Sequence, residues 1–114
     1  MDAHDLDALR AARDSAALAL EHVHRGGDAW LADRLYVDAV SKRIEEVCER
    51  LLDVSDEAQA RLGDIDWVRV RGMRNRLVHA CGVTDLDVLE SVVTTTLPQL
   101  IRTIGAVTGD DAAT

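Results

Sequence analysis

Apolar residues recur at intervals of three and four along almost the whole chain, and this spacing limits the fold more than any other feature of the sequence. The interval matches the 3.6-residue turn of an α-helix, whereas a half-buried strand shows alternation. Strand-like alternation is absent from most of the sequence, and Pro98 is the only proline. The pattern therefore predicts an all-α fold.

Capping and turn residues divide this pattern into helical segments. Asp2 or Asp5 is suited to cap the first segment, and Gly26-Gly27 predict its end. The second segment is expected to begin at Asp28 and to end near Leu52, which makes it the longest predicted helix.

Two further segments follow after short breaks. Ser55 resembles an N-cap with acidic residues after it, so a short helix is predicted up to Leu62, stopped by Gly63. Asp66 caps the next helix, which we expect to end at Gly82.

The last segment begins with a cap at Asp85, and Pro98 is expected to kink or restart it because proline lacks an amide proton. Four main helices joined by short loops predict an antiparallel bundle of four to five helices. A length of 114 residues fits one domain, which we place at residues 1–108, with a flexible tail at 109–114.

The charge distribution restricts the possible partners. Acidic residues outnumber basic residues by 21 to 13, giving a net charge of −8, so we expect neither broad nucleic-acid binding nor a DNA partner. One eleven-residue window ending at His79 nevertheless holds four arginines: Arg69, Arg71, Arg74 and Arg76. With only three aromatic residues in the chain, RNA contacts would be made mainly by arginine.

The two cysteines and the amino terminus indicate the compartment. Cys48 and Cys81 are too few for a disulfide framework and lack the spacing of a zinc site. The amino terminus has neither a basic nor an apolar leader region, and no apolar run is long enough to cross a membrane. We therefore expect a cytoplasmic protein with reduced thiols and no membrane contact.

Metal and cysteine chemistry find little support. Glu21 and His24 form one Glu-x-x-His pair, but a di-metal bundle needs a second copy and none exists. His79 and Cys81 are two residues apart and would not face each other on a helix. No glycine-rich phosphate loop occurs either, so the sequence predicts no metal and no cofactor.

The segment from Arg74 to His79 carries the groups that cleavage of a phosphodiester requires. Histidine can act as acid or base near neutral pH, and arginine offers charged donors to phosphoryl oxygens. Asn75 and His79 share a helix face, whereas Arg74 and His79 lie about 140° apart and about 7.5 Å along the axis. Two chains meeting at this helix would bring these residues together, so catalysis favours a dimer.

Four segments resemble the HepT-like proteins of the HEPN superfamily: Ile65-Asp66-Trp67, Gly72-Met73-Arg74-Asn75-Arg76-Leu77-Val78-His79, Val83-Thr84-Asp85-Leu86 and Leu97-Pro98-Gln99-Leu100. The resemblance implies a homodimeric helical bundle that acts as a metal-independent endoribonuclease toxin. Its partner would be a nucleotidyltransferase-like antitoxin of the MntA kind. Arg74 and His79 match the family's catalytic pair, and Asn75 matches the position that helps to arrange the site. Arg69, Arg71 and Arg76 would widen the RNA-binding cleft.

The chain departs from the family pattern at one position. The family's Arg-x4-His-x-Tyr motif ends in a tyrosine that the antitoxin modifies with AMP, and Cys81 occupies that position here. Tyr36, the only tyrosine, is distant in sequence. The resemblance therefore favours inhibition by complex formation over modification of a tyrosine.

Two alternatives stay open from the sequence. A non-catalytic helical protein could keep the fold and the dimer and only bind a nucleotidyltransferase-like partner. A nucleotide-binding or metal-binding bundle has less support, because the Glu-x-x-His pair stands alone.

Overall fold

A computed structural model describes residues 1–79 and 85–109, and the side chains of all of these except 76–79. Six α-helices occur in these ranges: α1 (Ala3–Gly26), α2 (Arg34–Leu52), α3 (Asp56–Arg61), α4 (Trp67–His79), α5 (Leu86–Ser91) and α6 (Leu97–Thr108). A 3₁₀ turn precedes α2 at Trp30–Ala32, and a π-helical turn joins α5 to α6 at Val92–Thr96. The described residues contain no strand, and the predicted all-α fold is confirmed.

The start of the second helix differs from the prediction. It begins at Arg34 rather than Asp28, because the chain first makes the 3₁₀ turn and Asp33 then caps α2 by accepting a hydrogen bond from the Leu35 amide at 3.0 Å. As a result α2 has 19 residues and α1 has 24, so the prediction that the second helix is the longest is wrong.

Burial of Trp30 explains this delayed start. Its side chain is 7% exposed, and a Cβ added at Gly26 would lie 2.7 Å from the Trp30 Cβ and 3.0 Å from the Tyr36 ring. The chain therefore folds back tightly over the end of α1, where Gly27 has a φ of +72°. A helix starting at Asp28 would carry Trp30 away from this position.

Helices α1 and α2 are antiparallel partners. Along α1, His4 and Ser15 contact Asp53 and Glu46, both at 3.3 Å, so the partner's number falls as the number on α1 rises. The face of α1 that enters the core is built largely of small side chains, which allows close helix packing. Its fully or nearly fully buried apolar residues are Ala8, Leu9, Ala12, Ala16 and Ala19. Helix α6 packs on α1 as well, and α4 packs on α2.

The segment after Asp85 is helical throughout. Asp85 caps α5 as predicted, accepting hydrogen bonds from the amides of Asp87 and Val88 at 3.1 and 3.2 Å. Pro98 lies in the first turn of α6, directly after the π-helical turn, and Leu97 donates to the carbonyl of Val92. The wider turn accommodates the proline ring, which would otherwise clash with the preceding turn.

Two predicted boundaries fall at the limits of the described residues. Gly82, the predicted end of α4, lies outside them, as do residues 110–114 of the predicted tail. Gly109 is described and ends α6 with a φ of +75°. Within the described residues, none of the helices combines the length and the apolar character that crossing a membrane demands.

Candidate functional site

Helix α4 carries the arginine-rich segment and is anchored at its amino-terminal end. The Asp66 carboxylate accepts a hydrogen bond from the Arg69 amide at 3.0 Å, which caps the helix as predicted. The Trp67 indole N–H lies 3.1 Å from the carbonyl of Gln59 and 3.3 Å from that of Leu62, so α4 is attached to the end of α3. These bonds fix the direction in which α4 leaves the α3 turn.

The buried face of α4 sets the orientation of the remaining positions. Val70 and Met73 are 3% and 7% exposed and point into the core. Val68, Gly72 and Asn75 follow one another on the opposite face, and all three are exposed. Position 79 continues this line, because it lies four residues after Asn75 in the same helix. We call this line of four positions the outer face of α4.

Arg74 lies on a different side of α4. Its side chain is half-buried and lines a cleft of about 430 Å³ toward the end of α2, together with Glu49, Arg50, Leu52 and Asp53. Among the described residues it forms no ion pair within 4 Å, although two carboxylates border the same cleft. Arg74 therefore faces α2 rather than the outer face.

The predicted catalytic positions are thus divided around one helix. Asn75 and position 79 share the outer face, whereas an ideal helix places Arg74 about 140° from position 79. The side chains of Arg76 and His79, and all of Cys81, lie outside what the structure describes. Arg71 is exposed near the outer face, and Arg69 is exposed on the side toward α5.

A second cleft lies between α4 and α5, next to the outer face. It has a volume of about 430 Å³ and is lined by Arg69, Gly72, Met73, Asp87, Val88 and Ser91. We call it the α4–α5 cleft. Sequence reasoning selected Arg69 but missed Asp87 and Ser91, because an acidic residue in a first helical turn is usually explained by the helix dipole.

The described cysteine is not a candidate nucleophile. Cys48 is fully buried between helices, and burial, reinforced by the nearby Glu49 carboxylate, raises the pKa of its thiol to about 12. The Arg74 guanidinium opposes this shift only in part. The thiolate needed for nucleophilic attack is therefore absent at neutral pH.

Glu21, the acidic member of the Glu-x-x-His pair of α1, and the neighbouring His22 have other contacts. Glu21 pairs with Arg25 at 2.8 Å, and His22 accepts a hydrogen bond from Arg43 at 3.3 Å. No group of three or more His, Cys, Asp or Glu side chains in the described part of the chain is placed to hold a metal ion.

Comparison with known families adds to this geometry. The family model described as Ribonuclease HepT-like matches residues 12–107, which is most of the chain. The chain belongs to the HepT-like ribonuclease family. The HepT-like match includes the whole of α4, both clefts and the π-helical turn. Searches of curated proteins and of solved structures gave no match. Family membership supports ribonuclease activity in general and RNA as the class of substrate.

Proposed function

We propose that this HepT-like chain is a metal-independent endoribonuclease that acts as a homodimer, with Arg74 and His79 as its catalytic residues. Three observations support the proposal: the family match, the concentration of arginine on α4 and the exposure of the outer face of that helix. Arg69, Arg71 and Arg76 would guide the RNA strand to the site. In this proposal the net charge of −8 restricts RNA to α4.

The chemistry needs a base, an acid and a cation. One His79 removes the proton from a 2′-hydroxyl, whose oxygen attacks the neighbouring phosphorus. The 5′-oxygen leaves with a proton from a water molecule, and the products are a 2′,3′-cyclic phosphate and a 5′-hydroxyl. Arg74 stabilises the charge that develops on the phosphoryl oxygens, and Asn75 orients the site.

The division of the site around α4 is the observation that carries the dimer. One chain places Arg74 toward α2 and position 79 on the outer face. The two residues of one chain are therefore poorly placed to contact the same phosphate. The outer face also leaves Val68 73% exposed and has open space around Gly72. We propose that two chains pair along α4, which would cover Val68 and bring Arg74 of one chain near His79 of the other.

The test is RNA cleavage by purified wild type, His79→Ala and Arg74→Ala, with Arg25→Ala as a matched control. Arg25 is an exposed arginine at the end of α1, paired only with Glu21 in the described residues. Loss of the base or of the cation should lower the rate by at least about 100-fold, while the control keeps the wild-type rate. Equal rates in all four proteins would overturn the proposal, and intact RNA with all four would favour a non-catalytic interaction protein.

We further propose that the enzyme is a cytoplasmic toxin held inactive by an MntA-like nucleotidyltransferase antitoxin. Since Cys81 replaces the family's tyrosine, control by masking in a complex fits this chain better than transfer of AMP. Co-expression of the two proteins should give a stable complex with an unmodified toxin mass. A toxin carrying an added AMP would overturn the masking mechanism.

A further inference from the structure

The α4–α5 cleft contains polar side chains that the proposed catalytic mechanism does not use. Arg69 and Asp87 line it from opposite helices, and Ser91 lies one helical turn after Asp87. In the described residues the side chains of all three make neither ion pairs nor hydrogen bonds, so Arg69 and Asp87 face one cleft without neutralising each other. The cleft therefore presents a donor and an acceptor to any molecule that enters it.

The remaining lining suits a flat and partly apolar ligand. Met73 and Val88 supply apolar surface, and Gly72 supplies backbone without a side chain. The volume of about 430 Å³ lies within the roughly 300–1,000 Å³ of small-ligand sites. Single-stranded RNA offers such a ligand in each unstacked base, which proteins bind through apolar contact and hydrogen bonds to its edge.

The pairing of a carboxylate with a guanidinium selects among the four bases. Guanine alone presents two adjacent donors, the N1–H and the 2-amino group, and a carboxylate can accept both. It also presents O6 and N7 as adjacent acceptors, the pair that an arginine fork recognises. Adenine, cytosine and uracil each place an acceptor beside their single donor on the Watson–Crick edge.

We propose that the α4–α5 cleft binds a guanine base of the RNA strand, with Asp87 accepting from N1–H and the 2-amino group and Arg69 donating to O6 and N7. The inference rests on the proposed function, because RNA is the substrate in both. Gly72 belongs both to the cleft and to the outer face of α4, and position 79 lies about 10.5 Å further along the helix. The bound guanine thus places a nearby phosphodiester beside His79, and cleavage occurs at a fixed distance from guanine.

Cleavage mapping tests the specificity. The substrates are adenosine-only RNA 12-mers with a single central guanosine, inosine or uridine, where inosine lacks only the 2-amino group. Wild type should cut the guanosine 12-mer at one main position and at least about fivefold faster than the others. Asp87→Asn should remove this preference, while Asp56→Asn, an exposed aspartate in the first turn of α3, should keep it. Equal cleavage of all 12-mers by wild type would overturn the inference and leave ribonuclease activity standing.

Binding measured without cleavage separates the two proposals. A 12-mer with 2′-O-methyl sugars at every position cannot be cut by attack of a 2′-hydroxyl, and its affinity is read by fluorescence anisotropy. Tighter binding of this probe than of its adenosine counterpart, lost in Asp87→Asn, supports the cleft even if no RNA is cleaved. Equal affinity of wild type for the two probes would overturn the proposal that the α4–α5 cleft binds guanine, whatever the cleavage assay shows.

Discussion

The carboxylate of Asp5 accepts two hydrogen bonds from Ser55, fifty residues later in the chain. Oδ1 receives the backbone N–H at 2.8 Å and Oδ2 receives the hydroxyl at 2.7 Å. The Ser55 oxygen in turn caps α3 by accepting from the Ala58 amide at 3.2 Å. One buried carboxylate thus joins the start of α1 to the start of α3, and α3 carries α4 through Trp67.

These bonds make folding stability depend on acid pH. The backbone N–H and the hydroxyl of Ser55 lower the pKa of Asp5 below its ordinary value of 3.8. A lowered pKa contributes stability above the unfolded value, and that stability is lost as pH falls through the folded value. Asp5→Asn should therefore be less stable than wild type in urea at pH 7, with a smaller difference below pH about 3.8.

Asp14→Asn is the control for this measurement, since Asp14 is an exposed aspartate further along α1. Its stability in urea should differ little from that of wild type at either pH. A constant difference between Asp5→Asn and wild type across the acid range would show that ionisation of Asp5 does not contribute.

Gly72→Ala should separate the stability of one chain from the pairing of two. Nothing lies within 4 Å of a Cβ built at Gly72, and alanine in a helix interior is favoured over glycine by about 0.5–1 kcal/mol. At dilute concentration the variant should resist urea more than wild type. If two outer faces meet closely, the same methyl group lowers the dimer fraction in analytical ultracentrifugation. If the variant dimerises as wild type does, the contact between the two chains does not lie at Gly72.

Mixing two inactive variants tests whether a site is shared between chains. In a mixed dimer of Arg74→Ala and His79→Ala, one site loses both residues and the other keeps both, provided that they come from different chains. Random mixing makes half of the dimers mixed, so about one quarter of the wild-type rate should return. No recovery after mixing by refolding would show that Arg74 and His79 act from the same chain.

Cys48 makes the fold sensitive to alkaline pH. Its thiol pKa is raised from 9.0 to about 12, mainly by burial, so the unfolded chain loses this proton at lower pH than the folded one. Stability should therefore fall above pH about 9, by up to about 1.4 kcal/mol per pH unit. Urea unfolding in a Cys81→Ser background measures this fall, and Cys48→Ala should show a shallower dependence. Parallel curves for the two proteins would contradict it.

Local signals in the sequence were enough for most helix boundaries. Ser55, Asp66 and Asp85 cap helices as predicted, and Asp2, one of the two residues expected to cap α1, does so, because an N-cap depends on residues within one turn. The start of α2 could not be predicted in this way. Its delay depends on Trp30 packing over Gly26, a contact made only after α1 and α2 have come together.

In the candidate site too, the sequence predicted the arrangement within one helix but not the contacts between helices. Helix geometry alone predicts that Arg74 and position 79 lie far apart around α4, and the placement of Arg74 toward α2 agrees with it. The role inferred for Asp87 was not accessible, since nothing in the sequence places α5 beside Arg69. Distances between elements carry that information, and the spacing of residues does not.

The π-helical turn at Val92–Thr96 divides one long helical segment into two parts with different neighbours. Before it, α5 borders the α4–α5 cleft, and after it, α6 packs on α1. A π-helical turn holds one residue more than an α-helical turn, so removal of one residue would let the segment continue as a regular α-helix. Such a deletion would place Pro98 inside a continuous α-helix, where its ring would clash with the preceding turn, so the extra residue and the proline depend on each other.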